Sequence, residues 1–405
     1  MKILVFSTLF PNPEEPTLGI FVETRLRHLI KDTGIEAVVI APVPWFPFRH
    51  RLFGRYGRFA RVPRMETQNG LTIHHPRFLV IPKVGMRLTP GFLFKAAKRC
   101  LAGLMAKGER FDLIDAHYLY PDGVAAARLS EAVGIPFVMT ARGSDVTQIG
   151  RMPAPRQEIL ASTKRAGHVV TVSRSLKEEL TSMGVAPEKI TVLRNGVDTA
   201  KFHETGRDEA RKTWGFDGRV LLFVGWLIDR KRVDVLLDVA ARIPDISVVI
   251  AGDGPLKAML VKRAAALGLE GRIHFLGQVM PADMPRVMSG ADVLMLPSER
   301  EGWANVLLEA MACGTPVVSR AVGGAPDLVT VPKAGRLVAK APHEDGEVDA
   351  FEAALRDLLD KYPARDKVRA YAEGFGWAET SAGQVCIFEE VIAAYKAAGQ
   401  AEGKG

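Results

Sequence analysis

Glu299-Arg300-Glu301-Gly302-Trp303-Ala304-Asn305-Val306-Leu307-Leu308-Glu309-Ala310-Met311-Ala312-Cys313-Gly314-Thr315-Pro316-Val317-Val318 follows an apolar run at 291–296 that stops at Pro297-Ser298. A strand, a polar loop, a helix and another strand succeed one another in this single stretch. The spacing predicts a helix from about Trp303 to Cys313, closed by Gly314, with Pro316 opening the next strand. Glu301 lies in the loop, and Glu309 lies one turn beyond Asn305 on the same helix face. A helix amino terminus offers unpaired N–H groups to an anion. The stretch therefore brings two carboxylates suited to sugar hydroxyls, with seven residues between them, to a helix end suited to phosphate.

The same alternation runs outward in both directions. Strand candidates fall at 2–7, 36–41, 112–116, 136–140, 168–172 and 190–193, then at 220–225, 246–251, 272–275, 291–296, 315–319 and 335–338. Amphipathic stretches such as 20–31, 121–133, 232–242, 255–267 and 303–313 lie between them. Strands alternating with helices predict an α/β chain of parallel sheets covered by helices. Residues 199–218, polar and irregular in pattern, form a seam between the two series. One doubly wound sheet rarely needs twelve strands. The expectation is two Rossmann-like domains, 1–195 and 196–378, with ligands bound in a central cleft they face. A tail at 379–405 carries apolar residues at helical spacing and is expected to pack back toward the amino-terminal domain.

Other loops behind strands carry polar groups. Thr17-Leu18-Gly19-Ile20-Phe21 puts a glycine at a helix start, where a ligand could approach the backbone. Asp115-Ala116-His117-Tyr118 and Arg142-Gly143-Ser144-Asp145 stand at strand ends, as ligand contacts do in open sheets. Gly225-Trp226-Leu227-Ile228-Asp229-Arg230-Lys231-Arg232 places three consecutive cations in a loop, able to hold a diphosphate. Ala321-Val322-Gly323-Gly324-Ala325-Pro326-Asp327 is a glycine turn suited to phosphate or hydroxyl contact.

The 405 residues are 47% hydrophobic and 25% charged, which excludes disordered, collagenous and coiled-coil classes. Cys100, Cys313 and Cys386 form no disulfide framework or zinc motif, so a reducing cytoplasm is expected. Met1–Phe6 reads as a buried first strand rather than a leader, and no run approaches the ~20 apolar residues of a membrane span. The net charge of +8 is uneven. Residues 41–110 hold 14 Lys and Arg against Glu66 and Glu109, with Trp45, Phe46, Phe48, Phe53, Tyr56 and Phe59 interleaved. This predicts an anionic membrane surface as partner; nucleic acid is not expected, since no nucleic-acid-binding motif accompanies the charge.

Glu-Gly-x-x-Asn-Val-Leu-Leu-Glu-Ala-Met-Ala-Cys-Gly, with Glu301 and Glu309, resembles the signature of family 4 retaining glycosyltransferases of GT-B fold. The resemblance extends to Gly19, the Gly225–Lys231 loop, Ala251-Gly252-Asp253-Gly254-Pro255, the Gly323–Asp327 turn and Phe375-Gly376-Trp377. Phe10-Pro11-Asn12-Pro13, Tyr120-Pro121-Asp122-Gly123 and Arg142-Gly143-Ser144-Asp145 resemble the branch that builds exopolysaccharide and teichuronic-acid-like polymers. The resemblance implies a metal-independent transfer from a UDP- or GDP-sugar to an acceptor hydroxyl, without a further cofactor. It implies a lipid-linked saccharide acceptor and a cytoplasmic enzyme, peripheral on the inner face of the plasma membrane.

The resemblance also implies roles. Glu301, Lys231, Arg230 and Arg142 form the catalytic set: Glu301 contacts the transferred sugar, and Lys231 with Arg230 neutralises the diphosphate. Gly19, Gly225, Val279, Gly302, Asn305, Val306 and Glu309 bind the donor, with Glu309 on the ribose and the Gln278-Val279 loop by the base. From their place at strand ends, His117, Tyr118 and Asp145 are expected to serve the acceptor, and no residue is assigned to a metal. Two positions depart from the family: Trp226 stands where Arg is frequent, and Arg142 where His is frequent. The competing readings are a nucleotide-sugar epimerase or phosphorylase on the same fold, and a non-catalytic nucleotide-binding subunit.

Overall fold

The computed structural model of the chain describes residues 1–81, 85–215, 218–340 and 345–402. It divides into two compact units, Met1–Asn195 with Trp377–Gly405, and Gly196–Gly376. The second unit thus ends two residues before the boundary read from the sequence. Among the described residues no helix is long and apolar enough to cross a membrane.

The first unit is built on an eight-stranded sheet. Its order is Ile190–Val192, His168–Thr171, Phe137–Ala141, Leu113–His117, Lys2–Phe6, Glu36–Ile40, Leu71–His74 and Met65–Gln68. All pairs are parallel except the last. Ile3, Leu4, Val5 and Phe6 are all fully buried, as a central strand covered on both faces requires. The strands Met65–Gln68 and Leu71–His74 were absent from the sequence expectation because METQ and LTIH are too polar to read as buried runs. Their signal was the turn Asn69-Gly70. A separate ribbon pairs Val43–Pro44 with Arg77–Phe78 in parallel.

The final helix, Ala378–Glu402, belongs to this first unit. Its Ile387, Phe388 and Val391 join the core formed by Ile3, Val5, Leu26 and Leu29. Ser381 donates to Asp32 at 2.8 Å, and Trp377 stacks on His28 with ring centroids 5.2 Å apart.

The second unit has six parallel strands in the order Ile273–Gly277, Ile246–Ala251, Arg219–Val224, Val293–Leu296, Val317–Arg320 and Gly335–Val338. Counted from the unit's own start this is 3-2-1-4-5-6, the doubly wound order of a Rossmann-like domain. The chain direction across the sheet reverses between Arg219–Val224 and Val293–Leu296, so the loops leaving those two strands define the ligand crevice. The helix expected over Trp303–Cys313 is shorter, Asn305–Ala312, with Ala304 as its cap.

Residues 199–218, read as irregular, contain a helix at Arg207–Trp214. Its pattern is hidden because Arg207 and Arg211 face the second unit's core through ion pairs to Asp292. Alongside them, only Ala210 among the described side chains of the helix is a fully buried apolar group.

Candidate active site

The two loops at the reversal point of the second unit are Gly225–Lys231 and 297–302. They are tied together in three places. Glu299 N donates to Arg230 O at 2.8 Å, and Arg230 Nη1 donates to Arg300 O at 3.1 Å. Between them, Lys231 Nζ lies 2.6 Å from Glu301 Oε1. The Lys231 and Glu301 side chains are only 12% and 11% exposed, so little water screens this pair. Arg230 Nη1 stands 4.0 Å from the other oxygen, Glu301 Oε2, and is 36% exposed. The expected catalytic set of the second unit is thus brought together as one charged cluster. Gly225 sits at the end of its strand, donating its N–H to Ala251 O at 3.0 Å. Trp226, next to it, is 58% exposed.

The turn expected to meet phosphate or hydroxyl also supports this cluster. Gly323 has φ +58°, and a Cβ there would stand 2.0 Å from Glu301 O. Gly324 N donates to Gly302 O at 3.0 Å. The Trp303 ring, almost fully buried, lies over Gly324. These glycines therefore hold the Glu301 loop against its neighbour.

Beyond the loop, Leu307, Leu308, Ala310, Met311 and Ala312 are buried, while Asn305, Val306 and Glu309 keep part of their surface open. The open stripe of the helix is the set expected to bind a donor. Burial pushes the Glu309 carboxyl up to about 7, with Lys201 acting weakly in the other direction. Val279 and Gln278 follow the strand Ile273–Gly277 at the same end of the sheet, Gln278 exposed and Val279 half-buried.

The first unit holds a second polar centre, more deeply buried. Arg142 Nη2 lies 2.7 Å from His117 Nδ1, and His117 Nε2 lies 3.2 Å from Asp115 Oδ2. Gln384, from the final helix, donates to Asp115 at 2.9 Å and accepts from Arg25 Nε at 2.8 Å. Asn195 Oδ1 accepts from Arg142 at 3.3 Å and Arg25 at 3.4 Å. Burial lowers Arg142 to about 9, helped by the like charge of Arg25. Burial also lowers His117, with the opposing pull of Asp115 too weak to restore it, so the ring is neutral at pH 7. Arg142 Nε has no partner among the described residues. Tyr118 is half-buried, with its hydroxyl on Ser144 Oγ.

One expectation for this unit needs correction, and a second residue has a partner within the unit. Asp145 is fully buried, and its oxygens accept from the backbone N–H groups of Leu119, Arg142 and Gly143 at 2.7–3.2 Å. It shapes the loop that carries Arg142 rather than facing an acceptor. Gly19 has φ +61°, and a Cβ there would meet Leu9 O at 2.2 Å. Its bareness admits a close approach of this chain to itself at Leu9.

Sequence reasoning missed Arg25, Asn195 and Gln384. Arg25 had a signal: it sits on the apolar face of its helix among Val22, Leu26 and Leu29, where the period calls for a hydrophobic residue. It is 2% exposed. Replacing it by Ala removes the partner of a buried polar cluster and is expected to cost ~3–5 kcal/mol of stability. Urea unfolding of Arg25→Ala against the parent checks this; a loss under ~1 kcal/mol would mean the cluster adds no net stability.

Among the described residues no three His, Cys, Asp or Glu side chains converge.

Comparison with known proteins agrees with this layout. Residues 206–375 match the family described as Glycosyl transferases group 1, and residues 18–201 match Glycosyltransferase Family 4. A Bacillus subtilis (strain 168) protein named as the teichuronic acid biosynthesis glycosyltransferase TuaC is 30% identical over 358 residues, covering 84% of this chain and 88% of its own. Sucrose-phosphate synthase from Thermosynechococcus elongatus superposes with a TM-score of 0.78 at 19% identity, covering 97% of this chain and 99% of its own. Anabaena HepE in complex with UDP-glucose superposes with a TM-score of 0.69 at 19% identity, covering 98% and 100%. The last two likenesses concern the fold, which is GT-B.

Proposed function

We propose that this chain, which belongs to the family 4 glycosyltransferases of GT-B fold, transfers a sugar from a nucleotide diphosphate donor to the hydroxyl of a lipid-linked saccharide, with retention at the anomeric carbon. The observation that carries this reading is the Lys231–Glu301 pair, 2.6 Å long, at the reversal point of the second unit's sheet. It stands beside the open stripe of Asn305, Val306 and Glu309.

The difficult step is departure of the diphosphate as the sugar gains oxocarbenium character. Lys231, with Arg230 behind it, offers fixed positive charge to the oxygens that become more negative. The amino terminus of the helix Asn305–Ala312 adds backbone N–H groups to the same task. Glu301 accepts hydrogen bonds from the hydroxyls of the sugar in transit, and its carboxylate holds Lys231 in place until the diphosphate arrives. The acceptor oxygen bonds to the anomeric carbon on the face the diphosphate leaves. As the carbon–oxygen bond to the diphosphate breaks, the acceptor proton passes to the departing phosphate oxygen. The positive charge needed comes from side chains, so the step requires no metal. Arg142 and Tyr118, each just beyond the end of its strand, belong to the recognition of acceptor or sugar.

A uridine donor is favoured, since HepE, similar in fold, is known with UDP-glucose. A polymer of the cell surface is favoured as the destination, since the Bacillus subtilis relative is named for teichuronic acid biosynthesis. Such an acceptor places the enzyme at the inner face of the plasma membrane. The test is transfer from UDP-, GDP-, ADP- and dTDP-sugars, preceded by a thermal-shift panel, because a specific ligand raises the melting temperature by mass action. A rise with one nucleotide class and turnover of its sugar support the reading. Nucleotide binding without transfer or hydrolysis would leave a binding subunit instead.

Glu309→Gln is expected to weaken nucleotide-sugar binding by ~1.5–3 kcal/mol, the scale of hydrogen bonds to a charged group. Its effect on the chemical step is smaller, since Glu309 lies one helical turn beyond Asn305, inside the helix and away from the Glu301 loop. The pH dependence follows from the raised pKa. The ionised carboxylate is the better acceptor for ribose hydroxyls, so parent affinity falls as pH drops through about 7 and the variant's does not. Stability runs the other way. The Glu309 contribution is present in full below 4.5 and lost as pH rises through about 7, because the folded chain holds that proton more tightly. Calorimetric titration at several pH values checks the affinity and thermal unfolding over the same range checks the stability; unchanged affinity in the variant removes the assignment.

A further inference from the structure

The strands Val43–Pro44 and Arg77–Phe78 are parallel, and Trp45 N donates to Phe78 O at 2.7 Å. The chain therefore leaves both strands at the same end, and two loops emerge side by side. The first exposes Trp45 (52%), Phe48 (56%) and Leu52 (88%); the second exposes Leu79 (44%) and Ile81 (39%). These side chains are not loosely strung. The Phe46 ring contacts Phe48, Phe53 and Tyr56 at centroid distances of 6.0, 5.5 and 5.4 Å, and Phe48 stacks on Phe53 at 5.1 Å. The helix Gly54–Arg61 that follows buries only Gly57 and Ala60. A soluble surface rarely carries so many large apolar groups together unless something covers them.

The charge around the face tells what that something is. Residues 45–64 contain no Asp or Glu. Arg49, Arg51 and Arg87 are exposed. The charge is smaller than the sequence alone implied, since Glu15 pairs with Arg55 and Arg58, and Glu14 with Arg61. A second copy of this chain fits poorly: a two-fold contact would set this arginine-rich face against itself. Nucleic acid would have no use for the aliphatic Leu52, Leu79 and Ile81. An anionic bilayer uses every part, with arginines at the headgroups, aromatic rings at the interface and aliphatic tips in the acyl boundary.

We propose that this two-loop face inserts into the surface of an anionic membrane, with Trp45, Phe48 and Leu52 as the leading wedge and Arg49, Arg51 and Arg87 on the headgroups. The proposal rests on the reading of a membrane-borne acceptor and specifies the surface through which the enzyme reaches it. Apolar insertion makes the attachment partly resistant to salt, which purely electrostatic docking is not.

The test is co-sedimentation of the full chain with vesicles of phosphatidylcholine alone and of phosphatidylcholine with phosphatidylglycerol. The parent is expected to bind the mixed vesicles preferentially. Replacing Trp45, Phe48 and Leu52 together by Ser, or Arg49, Arg51 and Arg87 together by Gln, is expected to lower partitioning at least ~10-fold. Both sets are exposed, and unchanged melting temperatures are expected. Should the Ser variant melt earlier, quenching of Trp45 fluorescence by brominated lipid reads insertion in the folded parent, with Trp45→Phe as the blank. Nucleotide-sugar affinity in solution is read in parallel and should not move in either variant. Vesicle binding that ignores anionic lipid, or that survives the Ser variant, overturns the proposal while leaving the enzyme reading intact. A parent dimer dissolved by the Ser variant overturns it in favour of a second copy. Vesicle binding as expected, in a protein that binds no nucleotide sugar, upholds the surface and overturns the enzyme reading.

Discussion

Lys231→Ala is expected to lower turnover at least ~100-fold, the scale of losing one preorganised electrostatic contact to a developing charge. Two effects act together. The variant removes the cation proposed to meet the departing diphosphate, and it leaves the Glu301 carboxylate, 11% exposed, without its partner 2.6 Å away. Arg230 does not substitute, since its guanidinium is 4.0 Å from the other oxygen of Glu301 and is committed to Arg300 O. Lys231→Arg should recover only a part, because a planar fork does not fill the place of a compact ammonium. Steady-state turnover of the donor identified by thermal shift checks the expectation. If Arg230→Ala proves far more damaging, the two roles are exchanged; if neither variant is impaired, the diphosphate binds elsewhere.

Gly323→Ala should be comparably severe while leaving the protein folded. An added Cβ would stand 2.0 Å from the backbone oxygen of Glu301, and backbone cannot rotate away as a flexible side chain does. The positive φ adds ~1–2 kcal/mol for any residue but glycine. The Glu301 loop must shift by an ångström or more, and a 1 Å displacement of a positioned group can cost ~100-fold in rate. Gly34→Ala is the control: its φ is +70° and nothing lies within 4 Å of the new Cβ, so it bears the strain without the clash. Rates and melting temperatures of the two variants are compared. Full activity in Gly323→Ala would show that the Glu301 loop is not held by this turn.

The stretch proposed to be catalytic was legible because its parts are local. Glu301, Asn305 and Glu309 lie on one loop and one short helix, where the helical period and the flanking Gly314 and Pro316 fix their relation. The loop at 225–231 was legible as a cation run behind an apolar strand. Neither run says that the two are adjacent. That follows from strand order, since Arg219–Val224 pairs with Val293–Leu296 across some seventy positions of sequence. Buried polar groups were the least legible. Asp145 reads like a ligand contact at a strand end, yet its oxygens are taken up by backbone N–H groups of its own loop and of Leu119, behind the neighbouring strand. Arg25 reads as an ordinary helix charge, yet its partners come from Leu193, Asn195 and Gln384.

By itself, then, the sequence determined the period of the strongly patterned elements, the class of fold, and the residue types offered to a ligand, because side-chain spacing and turn chemistry act over a few residues. Strand order, the pairing of Lys231 with Glu301, the return of the final helix to the first unit's core, and the juxtaposition of the loops after Pro44 and Phe78 were decided by the tertiary structure. These are contacts between distant positions, selected by burial of apolar surface and by satisfaction of buried polar groups across the whole unit, and no local window of sequence contains both partners.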